Sequence, residues 1–386
     1  MQPARGAALW VVLFCLFYSV LTQPSATNNN KYSALNHIDG SDQMCTHAQS
    51  HSNHDGEMDF RLPSGFCTKS SGEPREMMWT GEEKRYEETP RFKDISRNED
   101  GEEALLNIPV AGGEVGGQSC KNPTPSATFV TALYDIGRGD WAIFPRPYSI
   151  YLNYFRDVLK LNINLVVFVE ESDKKFVLRN RRSANMTNAT RVWTKPFEDL
   201  AFHKYLPRVR DVVESEDFRA NNDNLRHPEG FSPEYIILMN SKFSLLQEVA
   251  EVNPFCSSHF VWIDAGYGHG KNVLPQNGET WVPRGLIDVH GKITIIQLER
   301  PILYEHYDRT TLFKMGARPA FIGGFFGGDS ASVNLMTALH EEVFTSFLDE
   351  RLVHEDQMMM LMCYLRKPEY FNPVEGWWYD GYKLFH

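Results

Sequence analysis

Hydrophobic and polar positions are unevenly distributed along this chain, and the pattern changes character twice. Residues 7–21 (AALWVVLFCLFYSVL) form one apolar run after Arg5. From Gln23 to about Pro125, Ser, Asn, Gly, Glu and Lys dominate, and neither a period of 2 nor one of 3.6 is sustained. A stretch of this kind buries too little apolar surface to offset the entropy of ordering it. It reads as a disordered stem or linker, acidic over residues 81–103 and Gly-rich over 111–117. Regular periodicity begins at Thr128 and continues toward the C-terminus.

Residues 128–134 (TFVTALY) have the β-branched and aromatic content of a buried strand, which stops at the Gly-containing turn 135–140. Tyr151, Phe155, Val158 and Leu159 share one helical face, so a helix is expected over 148–160. Residues 163–169 (INLVVFV) then read as a second buried strand. Strand, helix and strand in that order form a βαβ unit with parallel pairing. A helical excursion is expected over 197–213. Ser232-Pro233-Glu234 has the cap, first-position proline and early acid of a helix running to about Glu251, with Ile236, Met239, Phe243 and Leu246 inward. Further strands are expected at 260–264 and 292–298, an apolar segment 320–326 approaching a Gly-rich turn, and helices at 329–348 and 355–365. No internal repeat is visible. The predicted class is α/β, with a mostly parallel sheet flanked by helices.

Composition narrows this picture. Of 386 residues 42% are hydrophobic, and these concentrate after Ala127, which favours one large domain over 126–386 rather than two. A net charge of −11 repels nucleic-acid phosphates and anionic membranes, and no basic run offsets it, so nucleic-acid binding is excluded. The apolar run is shorter than the roughly 20 residues a spanning helix needs. Residues 1–22 therefore read as a signal peptide, with an uncleaved type II signal anchor as the alternative and the only route to a membrane. Either directs the chain to the secretory pathway, in the ER or Golgi lumen or outside the cell.

Of the six cysteines, Cys15 lies in the apolar run, leaving Cys45, Cys67, Cys120, Cys256 and Cys363. Their spacing fits neither a zinc ribbon nor a CxxC site, and Cys256 with Cys363 is the expected disulfide. Asn185-Met-Thr187 and Asn188-Ala-Thr190 are glycosylation sequons beside the charged stretch 179–182, which suggests an exposed loop. His37, His47, His51 and His54 near Cys45 are either a metal set or solvated polar residues.

In an open parallel sheet, ligands sit beyond the carboxyl ends of the strands. That rule singles out three segments. In Asp135-Ile-Gly-Arg-Gly-Asp140, glycines allow close backbone approach while Asp135 and Arg138 can hold a base, ribose or phosphate; the plainer reading is a strand-to-helix turn. In Trp262-Ile-Asp264-Ala-Gly266, a carboxylate at a buried strand end suits a metal-bound diphosphate or a ribose hydroxyl, or caps a turn. Lys242, upstream, is within reach of phosphate or simply solvated. In FIGGFFGG (321–328) with His354-Glu355-Asp356-Gln357, the glycines suit a wall for a flat acceptor, and Glu355 or Asp356 can act as general base or cap a helix.

TALYDIGRGDW, the 235–246 segment with Ser241-Lys242, FVWIDAGYGH, GGFFGG and HEDQ together resemble the HtrL/YibB family across residues 126–386. That family is similar in plan to GT-A nucleotide-sugar glycosyltransferases. The resemblance implies that Asp135 and Arg138 contact the nucleotide, that Asp264 takes the DxD place, that Gly323 and Gly324 border the acceptor, and that Asp356 is the base. It implies a nucleotide-sugar donor, a glycan or other hydroxyl acceptor, and Mn²⁺ or Mg²⁺ at Asp264. Here the DxD position reads Asp264-Ala-Gly266, without the second acid, so His269 or His386 would have to complete a metal site. The expected activity is a luminal glycosyltransferase. The rival class is a non-catalytic glycan-binding or interaction protein on the same shell, with Trp377, Trp378 and Tyr379 available for sugar stacking. A hydrolase built on Asp and Glu lacks a demonstrable acid pair.

Overall fold

The structure, a computed structural model, describes residue 120 and residues 123–386 except 144, 317 and 318. The apolar run, the stem, the four histidines and Cys45 lie outside the described residues. In chain order the elements are β1 (Thr124–Leu133), α1 (Tyr148–Leu159), β2 (Asn164–Val169), α2 (Glu171–Ser183), β3 (Thr190–Thr194), α3 (Leu206–Glu214) and α4 (Glu216–Arg219). Then come α5 (Pro233–Asn240), α6 (Lys242–Val252), β4 (Ser257–Ile263), α7 (Arg284–Ile287), β5 (Ile293–Gln297) and α8 (Arg309–Lys314). β6 (Phe321–Asp329), α9 (Ser330–Asp349), α10 (Asp356–Arg366), β7 (Phe371–Glu375) and α11 (Gly381–Phe385) complete the chain.

The seven strands form one sheet in the order β3-β2-β1-β4-β6-β5-β7. β1 pairs in parallel with β2 and β4, as the βαβ pattern requires, and β6 alone runs antiparallel to its neighbours β4 and β5. Both faces are covered, which explains why the strands read as continuous apolar runs rather than alternating ones. Along β2, Leu165, Val167 and Val169 pack with α1 and α2 on one face, while Val166 and Phe168 pack toward α3, α5 and α6 on the other.

Several expectations need correction. The Gly-rich segment after Phe321 is not a turn but the interior of β6. Its glycines are required by close approach: a Cβ on Gly327 would lie 2.4 Å from the Phe260 carbonyl oxygen of the paired strand. The helix expected from Ser232 is two helices. Ser232 caps α5 as foreseen, accepting from Tyr235 N, but the run breaks at Ser241, where ψ is −9° and the hydroxyl donates to Ile237 O. α2, β3 and β7 were not foreseen, because each is polar or short. The disulfide joins Cys120 to Cys256, not Cys256 to Cys363. Parallel pairing of Thr124 with Ser257 brings the chain before β1 alongside the turn before β4, whereas Cys363 is buried inside α10 as a free thiol. Among the described residues no helix is long and apolar enough to cross a membrane.

The sheet's open edge is held by a buried cation. Arg181 of α2 is fully buried and faces no carboxylate; it donates to the carbonyls of Leu159, Leu161, Ile163 and Ala189 and to Thr190 Oγ1. Burial lowers its pKa to about 10, so it stays charged. These bonds fix the α1–β2 turn against β3, the strand at the sheet's edge. Replacing Arg181 with Met should cost about 3–5 kcal/mol in denaturant unfolding, since several carbonyls lose their donors inside the protein; a cost under about 1 kcal/mol would show that those carbonyls find water instead.

Candidate functional site

A cleft of about 500 Å³ opens at the carboxyl ends of β1 and β4 and the amino end of the antiparallel β6. It receives all three segments singled out in the sequence. Asp135, Arg138, Lys242, Asp264, Gly323, Gly324, Glu355 and Asp356 all line it.

At its centre is a buried lysine. Lys242 opens α6 and is 3% exposed, and its ammonium lies 3.0 Å from Asp264 Oδ1 and 2.7 Å from Asp356 Oδ2 and donates to Gly323 O at 3.0 Å. Burial opposes the charge, but the two carboxylates outweigh it and hold the pKa above the ordinary lysine value. The ammonium is thus ion-paired with two carboxylates and hydrogen-bonded to one carbonyl. The expectation that Lys242 reaches phosphate therefore meets a different geometry: the ammonium is a fixed clamp joining two acids that are 92 residues apart in sequence (356 − 264).

The two acids are not equivalent. The Asp264 side chain is 40% exposed and the Asp356 side chain 3%. Asp264 Oδ1 accepts from Trp262 Nε1 at 2.7 Å as well as pairing with Lys242, which leaves Oδ2 for the cleft. Burial pushes the Asp356 carboxyl up to about 7, despite Lys242 beside it, and the neighbouring Glu355 adds to the rise. Glu355 is the N-cap of α10, accepting from Gln357 N, so its carboxylate has the capping role that a helix start favours. Gly323 is what admits Asp356: a Cβ there would lie 2.2 Å from Asp356 Oδ2. Gly324 fixes the other acid, its carbonyl accepting from Asp264 N.

Around the mouth, Asp135 Oδ1 accepts from Gly137 N and shapes the turn after β1. Arg138 lies over the rings of Trp141 and Tyr151. Arg146 was missed in the sequence; it covers Tyr151 at 5.3 Å and donates to its hydroxyl at 3.3 Å. Its position between Pro145 and Pro147, in an extended segment leading into α1, was the available signal. On the facing wall the His269 ring stacks on Tyr154 and Nδ1 lies 3.1 Å from the Tyr379 hydroxyl. Burial, aided by the field of Arg146, lowers the His269 pKa to about 4, so the imidazole is neutral. Trp378 and Tyr379 line the cleft; Trp377 and His386 do not, and His386 instead contacts the Tyr382 carbonyl of its own helix. Glu229, also missed, lines the deep end and is buried, which raises its pKa. Asn185 and Asn188 are exposed, in the turn between α2 and β3.

The residues fit a divalent cation poorly. Asp264 offers one open oxygen, the second acid of a DxD pair is Gly266, and a cation at Oδ2 would face the Lys242 ammonium already bound to the same carboxylate. Among the described residues one group of three candidate ligand atoms lies within 4.8 Å of one another, at His259, His290 and Asp329. It sits at the other end of β4, where both His259 nitrogens have protein partners and Asp329 caps α9.

Fold and cleft together define an α/β protein with a cleft built on an ion-paired lysine at the carboxyl ends of its strands. The chain belongs to the HtrL/YibB family, described as a bacterial protein of unknown function, whose pattern matches residues 125–386. It is 26% identical over 272 residues to Protein HtrL of Escherichia coli (strain K12), covering 67% of this chain and 92% of that one. Among solved structures it is similar to mouse xyloside xylosyltransferase 1 in its apo form, at 12% identity and a TM-score of 0.34, covering 64% of this chain and 84% of that one. Galactosyltransferase LgtC in complex with donor and acceptor sugar analogs matches at 12% identity and a TM-score of 0.33, covering 64% and 73%.

The raised Asp356 pKa predicts a pH signature. The native state keeps this proton up to about pH 7, whereas an unfolded Asp releases it near 3.8, so the group's contribution to stability is full below the unfolded value and is lost as pH rises through 7. Asp356→Asn cannot ionise and should gain on the parent protein by a few kcal/mol between pH 4 and pH 8 in denaturant titrations. A constant difference across that range would mean that Asp356 is ionised throughout.

Proposed function

We propose that the cleft binds a nucleotide-sugar and transfers its sugar to a hydroxyl acceptor. The observation that carries this reading is the Asp264–Lys242–Asp356 clamp at the strand carboxyl ends, which holds one carboxylate oxygen rigidly toward a cleft large enough for such a ligand. The order of motifs shared with the HtrL/YibB family, and that family's likeness in plan to GT-A enzymes, supports the same reaction class.

Exposure changes the roles that the resemblance implies. A base must reach the proton it takes, and geometry precedes pKa in choosing it. Asp264, at 40% exposure against 3% for Asp356, is the group that meets the acceptor. Its Oδ2 takes the hydroxyl proton as the acceptor oxygen bonds to the anomeric carbon. The bond from that carbon to the diphosphate oxygen breaks, and its electron pair leaves with the diphosphate. Asp356 is a positioning residue that, through Lys242, fixes the carboxylate above it. Asp135 and Arg138 meet the nucleotide at the mouth, and Gly323 and Gly324 form the floor beneath the acceptor.

Location follows from two further features. A disulfide between Cys120 and Cys256 and two exposed sequons support an oxidising, secretory compartment. Expressed through that pathway, the chain should shift in electrophoretic mobility on glycosidase treatment, and Asn185→Gln with Asn188→Gln should abolish the shift; an unshifted chain would remove the luminal assignment.

For the reaction itself, Asp264→Asn should reduce turnover of the responsive nucleotide-sugar, including slow hydrolysis by water, at least 100-fold, and because it removes a partner of the buried Lys242 ammonium it should also lower the unfolding midpoint while circular dichroism shows the variant folded. Unchanged turnover would exclude Asp264 as the base. Nucleotide-sugar bound but never turned over, across a panel of donors and glycans, would favour the glycan-binding class.

A further inference from the structure

The cleft carries two guanidinium groups that the clamp does not use. Arg138 and Arg146 lie against one tyrosine, Tyr151, with their guanidinium carbons 5.7 and 5.3 Å from its ring centre, and Arg146 N donates to Arg138 O. Both line the cleft. Arg146 makes one side-chain hydrogen bond, to a neutral hydroxyl, and among the described residues no carboxylate lies within ion-pair distance of it. Stacking on an aromatic face fixes a guanidinium's plane while leaving its N–H edge open, and a fixed planar edge suits bidentate contact with phosphate oxygens. The inner cation, by contrast, is engaged: Lys242 already pairs with the carboxylate that would have to hold a metal, and Gly266 stands where a second acid would be needed.

We propose that this cleft holds the diphosphate of its ligand through Arg146, together with Arg138, and needs no divalent cation to do so. Charge that a metal would supply from beside Asp264 is supplied from the cleft mouth instead, by two guanidinium groups. Asp264 is thereby freed from ligating a cation and remains available as a base. This inference rests on the nucleotide-sugar reading above and assigns Arg146 a ligand-binding role that the sequence motifs alone did not suggest. The low pKa of His269, set first by burial and then by the Arg146 charge, agrees with a net positive field at this wall.

The test is calorimetric titration of the full chain with inorganic pyrophosphate and with the diphosphates of uridine, guanosine, cytidine, adenosine and thymidine, in EDTA and again in Mn²⁺. The tightest nucleotide should bind in EDTA within about threefold of its affinity in Mn²⁺. Arg146→Ala should weaken it at least tenfold under both conditions, Arg146→Lys should recover part of the loss, and Asp264→Asn should bind at least as well as the parent protein in EDTA. Circular dichroism and the unfolding midpoint check that each variant is folded. Binding seen only with Mn²⁺ and lost in Asp264→Asn would overturn the inference and leave the nucleotide-sugar reading standing. Metal-free binding that Arg146→Ala leaves intact would overturn the role of Arg146, and no binding by any nucleotide in either condition would remove both proposals.

Discussion

The site depends on a single buried ammonium. Two carboxyl groups brought together in a protein either share a proton or need a compensating charge, because desolvation costs each buried ion several kcal/mol. Lys242 meets both Asp264 and Asp356 and adds a bond to Gly323 O, so its own burial is compensated three times over. The surrounding architecture is arranged to permit this contact. The α5–α6 break at Ser241 places Lys242 at the start of a helix, Gly323 leaves room for Asp356, and the antiparallel β6 carries Gly323 and Gly324 past the end of β4.

Helix electrostatics then separates the two acids. Asp356 and Glu355 begin α10, where the positive end of the helix dipole favours carboxylates, yet both are so deeply buried that their pKa values rise. Asp264 follows a strand and opens to the cleft. One acid therefore titrates near neutral pH inside the protein while the other faces the cleft, and Lys242 ties the two together. Such a constellation is rigid: Trp262, Lys242 and Gly324 fix Asp264 from three sides. Rigidity of this kind is what a transferring site requires, since a carboxylate misplaced by an ångström loses most of its effect.

Charge is also divided within the cleft. Glu355 and Asp356 lie by Lys242, whereas Arg138 and Arg146 rest on an aromatic support, with the Arg138 charge reaching Glu229 as well. Under the proposed function, this arrangement would draw an anionic diphosphate to the arginines and leave a neutral sugar toward the acids.

Much of this was legible in the chain. The buried strands β1, β2, β4 and β5 and the helices α1, α9 and α10 follow from apolar periodicity, and the rule for parallel sheets singled out the segments of Asp135, Asp264 and HEDQ, which the fold gathers into one cleft. What the sequence could not decide was pairing. Whether Lys242 is solvated or clamped, whether GGFFGG turns or crosses the sheet, and whether Cys256 meets Cys120 or Cys363 all depend on which distant segments lie adjacent, and nothing in local propensity encodes that. Arg146 and Glu229 were invisible for the same reason: each stands in an irregular polar segment whose chemistry appears only when the fold brings other segments against it. Sequence by itself determined which apolar stretches would form the core and which strand ends would carry carboxylates, because those are set by local hydrophobicity and chain order. Tertiary structure alone decided which charge sits beside which, because electrostatic energy depends on distances that chain order does not contain.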